Sequence, residues 1–299
     1  MANVIAKGTN LPTQIVEEMF NMVRGESALA KLSPNRPIPF NGITEMTFNL
    51  DHEASVVGEN QPKVNGGATV TPVVIRPYKF EYGVRVSDEF MYGTEEYRMD
   101  VLRTFAEGAS RKFARALDIG AFHGFNPFSG TASNVIGDNS LDGKVTNYVV
   151  YSGTTPDANI DSAIAQIDAV GATANGLAID PTMRSALASM KANGVVLYPE
   201  FKFGNAPETL GALRTAVNQT VGVGNVAHGY VGDFSGFRWG YAKEIPLEVI
   251  EYGNPDNDAE AGDLKGHNQV YLRAEVYMGW GILAPAFFSK ILLTAPANS

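Results

Sequence analysis

The side chains in this chain that could do chemistry are poorly spaced for it. The four histidines, His52, His123, His228 and His267, are far apart and form no HExxH-like pair. Each therefore reads as a packed or polar histidine rather than a metal ligand. "GDNSLDGKV" (Gly137 to Val145) resembles a phosphate loop, but five residues separate its glycines instead of four, and Val145 stands where a hydroxyl should hold magnesium. It reads as a turn. "GVGNVA" (Gly222 to Ala227) fits the loose dinucleotide pattern, yet "HGYVGDFSG" follows it and does not start a helix. "DNDAEAG" (Asp256 to Gly262) alternates acids like a calcium loop, but its glycine falls at the seventh place and His267 replaces the closing glutamate. "GDFSG" (Gly232 to Gly236) puts Ser235 one place too late for a nucleophile elbow. These near misses point toward a structural or binding role, with no catalytic residue, metal ligand or cofactor expected.

Composition narrows the class. At 299 residues and 44% hydrophobic content the chain can build one large or two ordinary domains, and its 31 glycines and 16 prolines are spread along the length, as in a protein of many turns and short strands. The net charge of −9 excludes long-range attraction of the whole molecule to nucleic acid or anionic lipid, while leaving room for a local basic face. Without cysteine there is no disulfide framework or thiolate chemistry, which fits a reducing cytosol. No run approaches the ~18–20 apolar residues of a membrane span, and "MANVIAKGTNLPTQ" lacks the apolar stretch of a signal peptide.

The elements follow from periodicity. A loose arm leads into a helix from about Pro12 with Gly25 as its stop, then the extended link "SPNRPIPFNG". From Thr44 to Val86 the period is two: Met46, Phe48 and Leu50 alternate outward, and Phe80, Tyr82, Val84 and Val86 alternate on the way back. Between them lies the polar tip "GENQPKVNGGATVTP". Such a hairpin is marginal alone and is expected to rest on another chain. The strongest helix spans Glu95 to His123, ~43 Å at 1.5 Å per residue, with Thr94 as cap. Its apolar stripe is Tyr97, Val101, Phe105, Ala109 and Phe113, widened by Leu102, Ala106, Ala116, Leu117 and Gly120. Its other face carries Asp100, Arg103, Glu107, Arg111 and Arg115, a solvated salt-bridge row or a surface toward phosphates. A β/α segment follows, with a helix capped by Asp157, the buried strand "GLAID" and a second helix from Pro181 to Met190. Strands are expected at "HGYVGD", "RWGYA" and "LEVIEYG", then an acidic loop from Asn254 to Gly266. The closing strand has Val270, Leu272, Ala274, Val276 and Met278 on a buried face, and Gln269, Tyr271, Arg273, Glu275 and Tyr277 on a face that is wet or pressed on something polar.

In order, "PTQIVEEMFNMVRGESALAKL", "ASVVGENQPK", "IRPYKFEYGVRVSDEFM", "RKFARALDIGAFHG", "VGDFSGFRWGYAKEIPLEVIEYG" and "VYLRAEVYMGWGILAPAFF" resemble the phrases of a tailed-bacteriophage major capsid protein of the Hong Kong 97 type, across nearly the whole chain. The resemblance implies an α+β fold: an N-terminal arm and first helix (1–40), an extended hairpin loop (41–86), and a peripheral domain with the spine helix 95–123 (87–156 and 245–278). A mixed α/β axial domain completes it (157–244 and 279–299). It implies that the closing strand turns at Gly279 and Gly281 and ends on Phe287 and Phe288 as buried anchors, and that Gly194 to Pro207 faces the centre of hexamers and pentamers.

The same resemblance implies a shell of hexamers and pentamers around double-stranded DNA, contacted non-specifically by Arg103, Arg111, Lys112 and Arg115 on the spine helix. It implies subunit contacts at Glu59, Lys63, Asn254, Asp256 and Glu260. It also implies portal, scaffolding and decoration partners, location in the virion after assembly in the host cytoplasm, and no membrane. The chain begins almost at the arm, which implies a separate scaffolding protein or none. Some relatives weld subunits through a lysine–asparagine bond assisted by glutamate; Lys63, Asn254 or Asn257, and Glu260 are the required types, with placement only approximate. Two rivals remain at this point: an encapsulin-type shell around an enzyme cargo, and a hydrolase or nucleotide enzyme built on residues 157–190.

Overall fold

The computed structural model describes residues 22–23, 25–50, 53–63, 65–243 and 247–295, so all but the end of the predicted opening helix lies outside the described residues. Gly25 is itself helical; the break comes at Ser27, whose Oγ accepts from the Ala30 amide and caps a short new helix, α1 (Ala28–Leu32). The proline-rich link then runs beside a later strand, Arg36 and Ile38 donating amides to the carbonyls of Trp239 and Tyr241.

Strands β1 (Ile43–Leu50) and β2 (Ala68–Ile75) form a two-stranded antiparallel ribbon in which Ile43 faces Ile75 and Leu50 faces Ala68. The return arm is therefore 68–75 rather than the alternating stretch Phe80 to Val86. That stretch belongs to β3 (Pro77–Ser87), which pairs with the closing strand in a different sheet.

Helix α2 (Glu95–His123) has the bounds that its periodicity predicts. Thr94 accepts from the Tyr97 amide, Glu95 and Glu96 occupy the positive end of the dipole, and Gly124 closes the helix in the left-handed region at φ 71°. Its first half buries one stripe, while Ala116 to His123 are buried all round. The helix thus enters the core at its C-terminal end.

Helix α3 (Leu141–Lys144) and β4 (Tyr148–Val150) lead to α4 (Pro156–Asp168), which Pro156 opens without a side-chain cap; Asp157 sits in its first turn. Next come β5 (Gly176–Ile179), α5 (Pro181–Ser189) capped by Asp180, and the small ribbon β6 (Lys191–Ala192) with β7 (Val195–Val196). Strands β8 (Thr209–Leu210), β9 (Leu213–Val217), β10 (Ala227–Gly232), β11 (Phe237–Lys243), β12 (Leu247–Ile250), β13 (Gln269–Ile282) and β14 (Phe288–Leu292) complete the described elements.

Two sheets organise these parts. The six-stranded one runs β4-β14-β10-β5-β9-β8. Period-two alternation sends Leu177, Ile179, Val231 and Ile291 toward α4 and α5, and Ala178, Tyr230 and Leu292 into the core shared with α2. Both faces are covered, which is why "GLAI" is apolar at every position. In the other sheet β13 is central, with β3 along one edge and β12 then β11 along the other. Its predicted apolar face is buried, and the second face is closed by polar partners: Glu275 is ion-paired with Lys79, and Arg273 pairs with Glu248.

The Gly279-Trp280-Gly281 stretch is strand, not a turn. A Cβ at Gly279 would stand 2.7 Å from the Arg76 carbonyl, and one at Gly281 2.6 Å from Ile75 Cγ1. These glycines let the base of the ribbon cross directly over β13. Trp280 between them is fully buried on Gly120 of α2 and donates to the Asn139 carbonyl at 2.7 Å. The turn comes later, at Pro285–Phe287, after which Phe288 is fully buried against Phe234 while Phe287 is only partly covered.

Candidate functional site

The ribbon carries a run of exposed apolar side chains along one face. Because paired residues share a face, Met46, Phe48, Leu50, Val70, Pro72 and Val74 lie together. Phe48 is 70% exposed and Leu50 72%. The opposite face meets the body of the protein, where Ile75 is buried and Glu45 is ion-paired with Arg238. One side of the ribbon is thus anchored and the other left bare. Glu59 and Lys63 sit exposed at its tip.

Arg85, which alternation alone did not single out, organises the acidic loop. Its Nε donates to Asp256 Oδ2 at 2.8 Å and its Nη2 to Asn254 Oδ1 at 2.7 Å and the Gly262 carbonyl at 2.9 Å. Asn254 also donates through Nδ2 to the Asp258 carbonyl, so both ends of its amide are engaged within the loop. Asp258 caps the amides of Glu260 and Ala261. A rigid, negatively charged loop results, with Glu260 exposed on it.

The Arg85 guanidinium holds the Asp256 carboxyl at about 2, below the usual carboxylate value of 3.8. A depressed folded-state value means that this ion pair's stabilisation is complete above pH 3.8 and is lost as pH falls toward about 2. In a carboxyl-resolved NMR titration, Asp256 should titrate near pH 2 in the native chain and move back toward 3.8 in Arg85→Met. An unchanged midpoint in the variant would remove Arg85 from this role.

On α2, Arg103, Arg111, Lys112 and Arg115 are all exposed on the side away from the buried stripe. They line one surface of the helix with Asp100 and the half-buried Glu107.

Two buried polar clusters tie α2 to the rest of the chain. Asp118, fully buried, accepts from Ser27 Oγ at 2.5 Å, the Ala28 and Leu29 amides at 2.9 and 3.1 Å, and Thr220 Oγ1 at 2.7 Å. Burial lifts its carboxyl above the ordinary range and these four donors oppose that rise. At the end of the helix, His123 faces acceptors from both ring nitrogens, Asp142 Oδ2 at 2.8 Å and the Thr220 carbonyl at 2.9 Å, while Tyr230 donates to Asp142 Oδ1. Burial, then the Asp142 charge, pushes the Tyr230 phenol well up.

The near-miss motifs are absorbed by the fold. The phosphate-loop-like stretch becomes a turn and α3, which delivers Asp142 to His123. Gly222 to Ala227 is an irregular helical turn entering β10, and His228 pairs with Asp180. Among the described residues no group of three or more His, Asp or Glu side chains is placed to hold a metal, and no helix is long and apolar enough to cross a membrane.

The architecture so assembled is a hairpin with one exposed apolar face, a long helix running into a two-sheet body and a β/α layer, and comparison with known proteins identifies it. The Phage capsid family model matches residues 7–291. The chain belongs to the phage capsid family. A solved structure from Mycobacterium phage Ogopogo is 33% identical, superposes with a TM-score of 0.76, and covers 89% of this chain and 92% of its own. One from Gordonia phage Cozz is 26% identical with a TM-score of 0.75, over 90% and 87% of the two chains. A capsid of a native GTA particle, at 12% identity and a TM-score of 0.61 over 99% and 95%, shares the fold. No curated protein matches. This phage capsid protein is thus a major capsid structural protein with the Hong Kong 97-type α+β fold.

Proposed function

We propose that this capsid protein assembles into hexamers and pentamers that close an icosahedral shell around double-stranded DNA, and that it performs no catalysis. The observation that carries the reading is the ribbon: six apolar positions on one face, all of them exposed, on an element anchored by its other face. Two-stranded ribbons do not hold such a surface in water, and the natural cover is a neighbouring copy. Subunit contacts at Glu59, Lys63, Asn254, Asp256 and Glu260 fit this reading, as the first pair crowns the ribbon and the last three stand on the loop that Arg85 stiffens.

The exposed Arg103, Arg111, Lys112 and Arg115 would face packaged DNA and offset phosphate repulsion without reading sequence, while a net charge of −9 keeps the shell from clinging to its genome. Portal, scaffolding and decoration proteins would be its partners, and the virion its place.

Electron microscopy with mass photometry on the purified chain tests the proposal. Closed shells or six- and five-membered rings are expected. A uniform monomer or dimer, unaltered by concentration or by added scaffolding protein, would overturn it, and particles filled with another protein instead of DNA would overturn its DNA-packaging half.

A further inference from the structure

We infer that Phe203 of one subunit inserts into an acid-rimmed apolar pocket on the axial domain of a neighbouring copy, making a head-to-tail contact. The inference rests on the assembly reading above and adds a specific pair of surfaces to it.

The knob is unusual in its backbone and in its surroundings. Phe203 lies at φ 56°, ψ 29°, the left-handed region that bulky side chains rarely adopt. Its relative exposure is 105%, so the ring is packed against nothing in its own chain. The loop is nonetheless well fixed. Phe201 is buried beneath it, Arg184 Nη1 donates to the Gly204 carbonyl at 2.9 Å, and Asn205 Nδ2 donates to the Glu200 carbonyl at 2.8 Å. A strained and fixed loop thus holds a large apolar side chain out into solvent. Lys202 and Arg184 flank it beside the half-buried Glu200, with Lys191 exposed at the base of the same excursion.

The hole has the complementary character. A pocket of about 510 Å³ opens beside α4, floored by Ile160, Ile164, Leu187 and Leu213 and rimmed by Asp157, Asp161 and Asp168, with no lysine or arginine in its lining. The negative field there is felt by Tyr198, whose phenol is raised by burial first and then by Asp157 and Asp161. Phe203 of the same chain does not line this pocket. The exposed Phe203 ring, with Lys202, Arg184 and Lys191 outnumbering Glu200 around it, and an apolar hole among carboxylates that it does not line in its own chain are complementary between copies. Such a heterologous contact closes rings when its rotation divides the circle.

The chain contains no cysteine, so an engineered pair reports the contact without background. Phe203→Cys with Ile164→Cys, assembled and mildly oxidised, should give a ladder of covalent multimers on a non-reducing gel, whereas each single variant should stay monomeric. Phe203→Asp should lower assembly yield by about tenfold or more at an unchanged unfolding temperature. A double variant that remains monomeric while the native chain assembles would overturn the contact alone. So would dimers of Phe203→Cys by itself, which would mean that the loops meet each other. Failure of the native chain to assemble would instead overturn the shell reading on which the contact rests.

Discussion

Replacing Asp118 by asparagine should lower the stability of the subunit by about 2–4 kcal/mol, and replacing it by alanine by about 3–5 kcal/mol, although no surface of the protein changes. Each carboxylate oxygen accepts one backbone amide: Oδ1 from Leu29 and Oδ2 from Ala28. Whichever way an asparagine is turned, its NH2 group points at an amide that can only donate. The hydroxyls of Ser27 and Thr220 can rotate to accept, but the backbone cannot. Alanine leaves all four donors unpaired in a fully buried site.

The pH dependence separates this account from a simple packing defect. Because burial raises the folded-state value of Asp118 above 3.8, the native state takes up a proton that the unfolded state does not, and the group's contribution to stability increases as pH falls through the raised value. A protonated carboxyl keeps an oxygen at both positions, so the amide contacts survive. The native chain should therefore gain stability relative to Asp118→Asn on mild acidification, measured as the difference between their chemical-denaturation curves at several pH values. A constant difference would show that the carboxyl does not titrate differently in the two states.

How much of this was legible in the sequence depends on whether the partner of each residue was local. Helix α2 was readable from end to end because its cap, stripe and closing glycine are neighbours in sequence. The buried face of β13 was readable for the same reason. The return arm of the ribbon was not. Both 68–75 and 77–87 can form strands, and the second alternates more clearly because one of its faces packs toward the core, Phe80 on Trp280 and Tyr82 on Phe105 of α2, whereas the true arm has Pro72 in the middle and mostly exposed side chains. The Gly279–Gly281 stretch was misread because glycine signals a turn and a close backbone approach alike, and only the crossing of residues 75–77 distinguishes them. Arg85 and Asp118 carried no signal, since their roles are set by partners about 170 and 90 residues away. Near-miss motifs were informative chiefly by failing: their polar side chains proved to be caps and joints.

A single aspartate on the bare face of the ribbon should abolish shell formation while leaving the subunit folded. Phe48 is 70% exposed in the isolated chain, so Phe48→Asp removes few native contacts and should shift monomer stability by no more than about 0.5 kcal/mol. Under the proposed assembly a neighbouring copy would cover the same position, where burying a Phe side chain contributes about 1.5–3 kcal/mol, and the aspartate would both lose that and place an unpaired charge in an apolar contact. The penalty recurs at every subunit, and assemblies held by many weak contacts fail steeply when each contact is weakened. Thr69→Asp is the matched control: its partner across the ribbon is Asn49, on the face opposite Phe48, so it adds the same charge to the same element without entering the apolar ladder. Sedimentation and electron microscopy should find shells or rings for the native chain and Thr69→Asp, and only folded monomer, unchanged by circular dichroism, for Phe48→Asp. Normal assembly of Phe48→Asp would mean that the apolar face stays open in the shell, and the cover of the ribbon would then have to be sought outside the neighbouring capsid subunits.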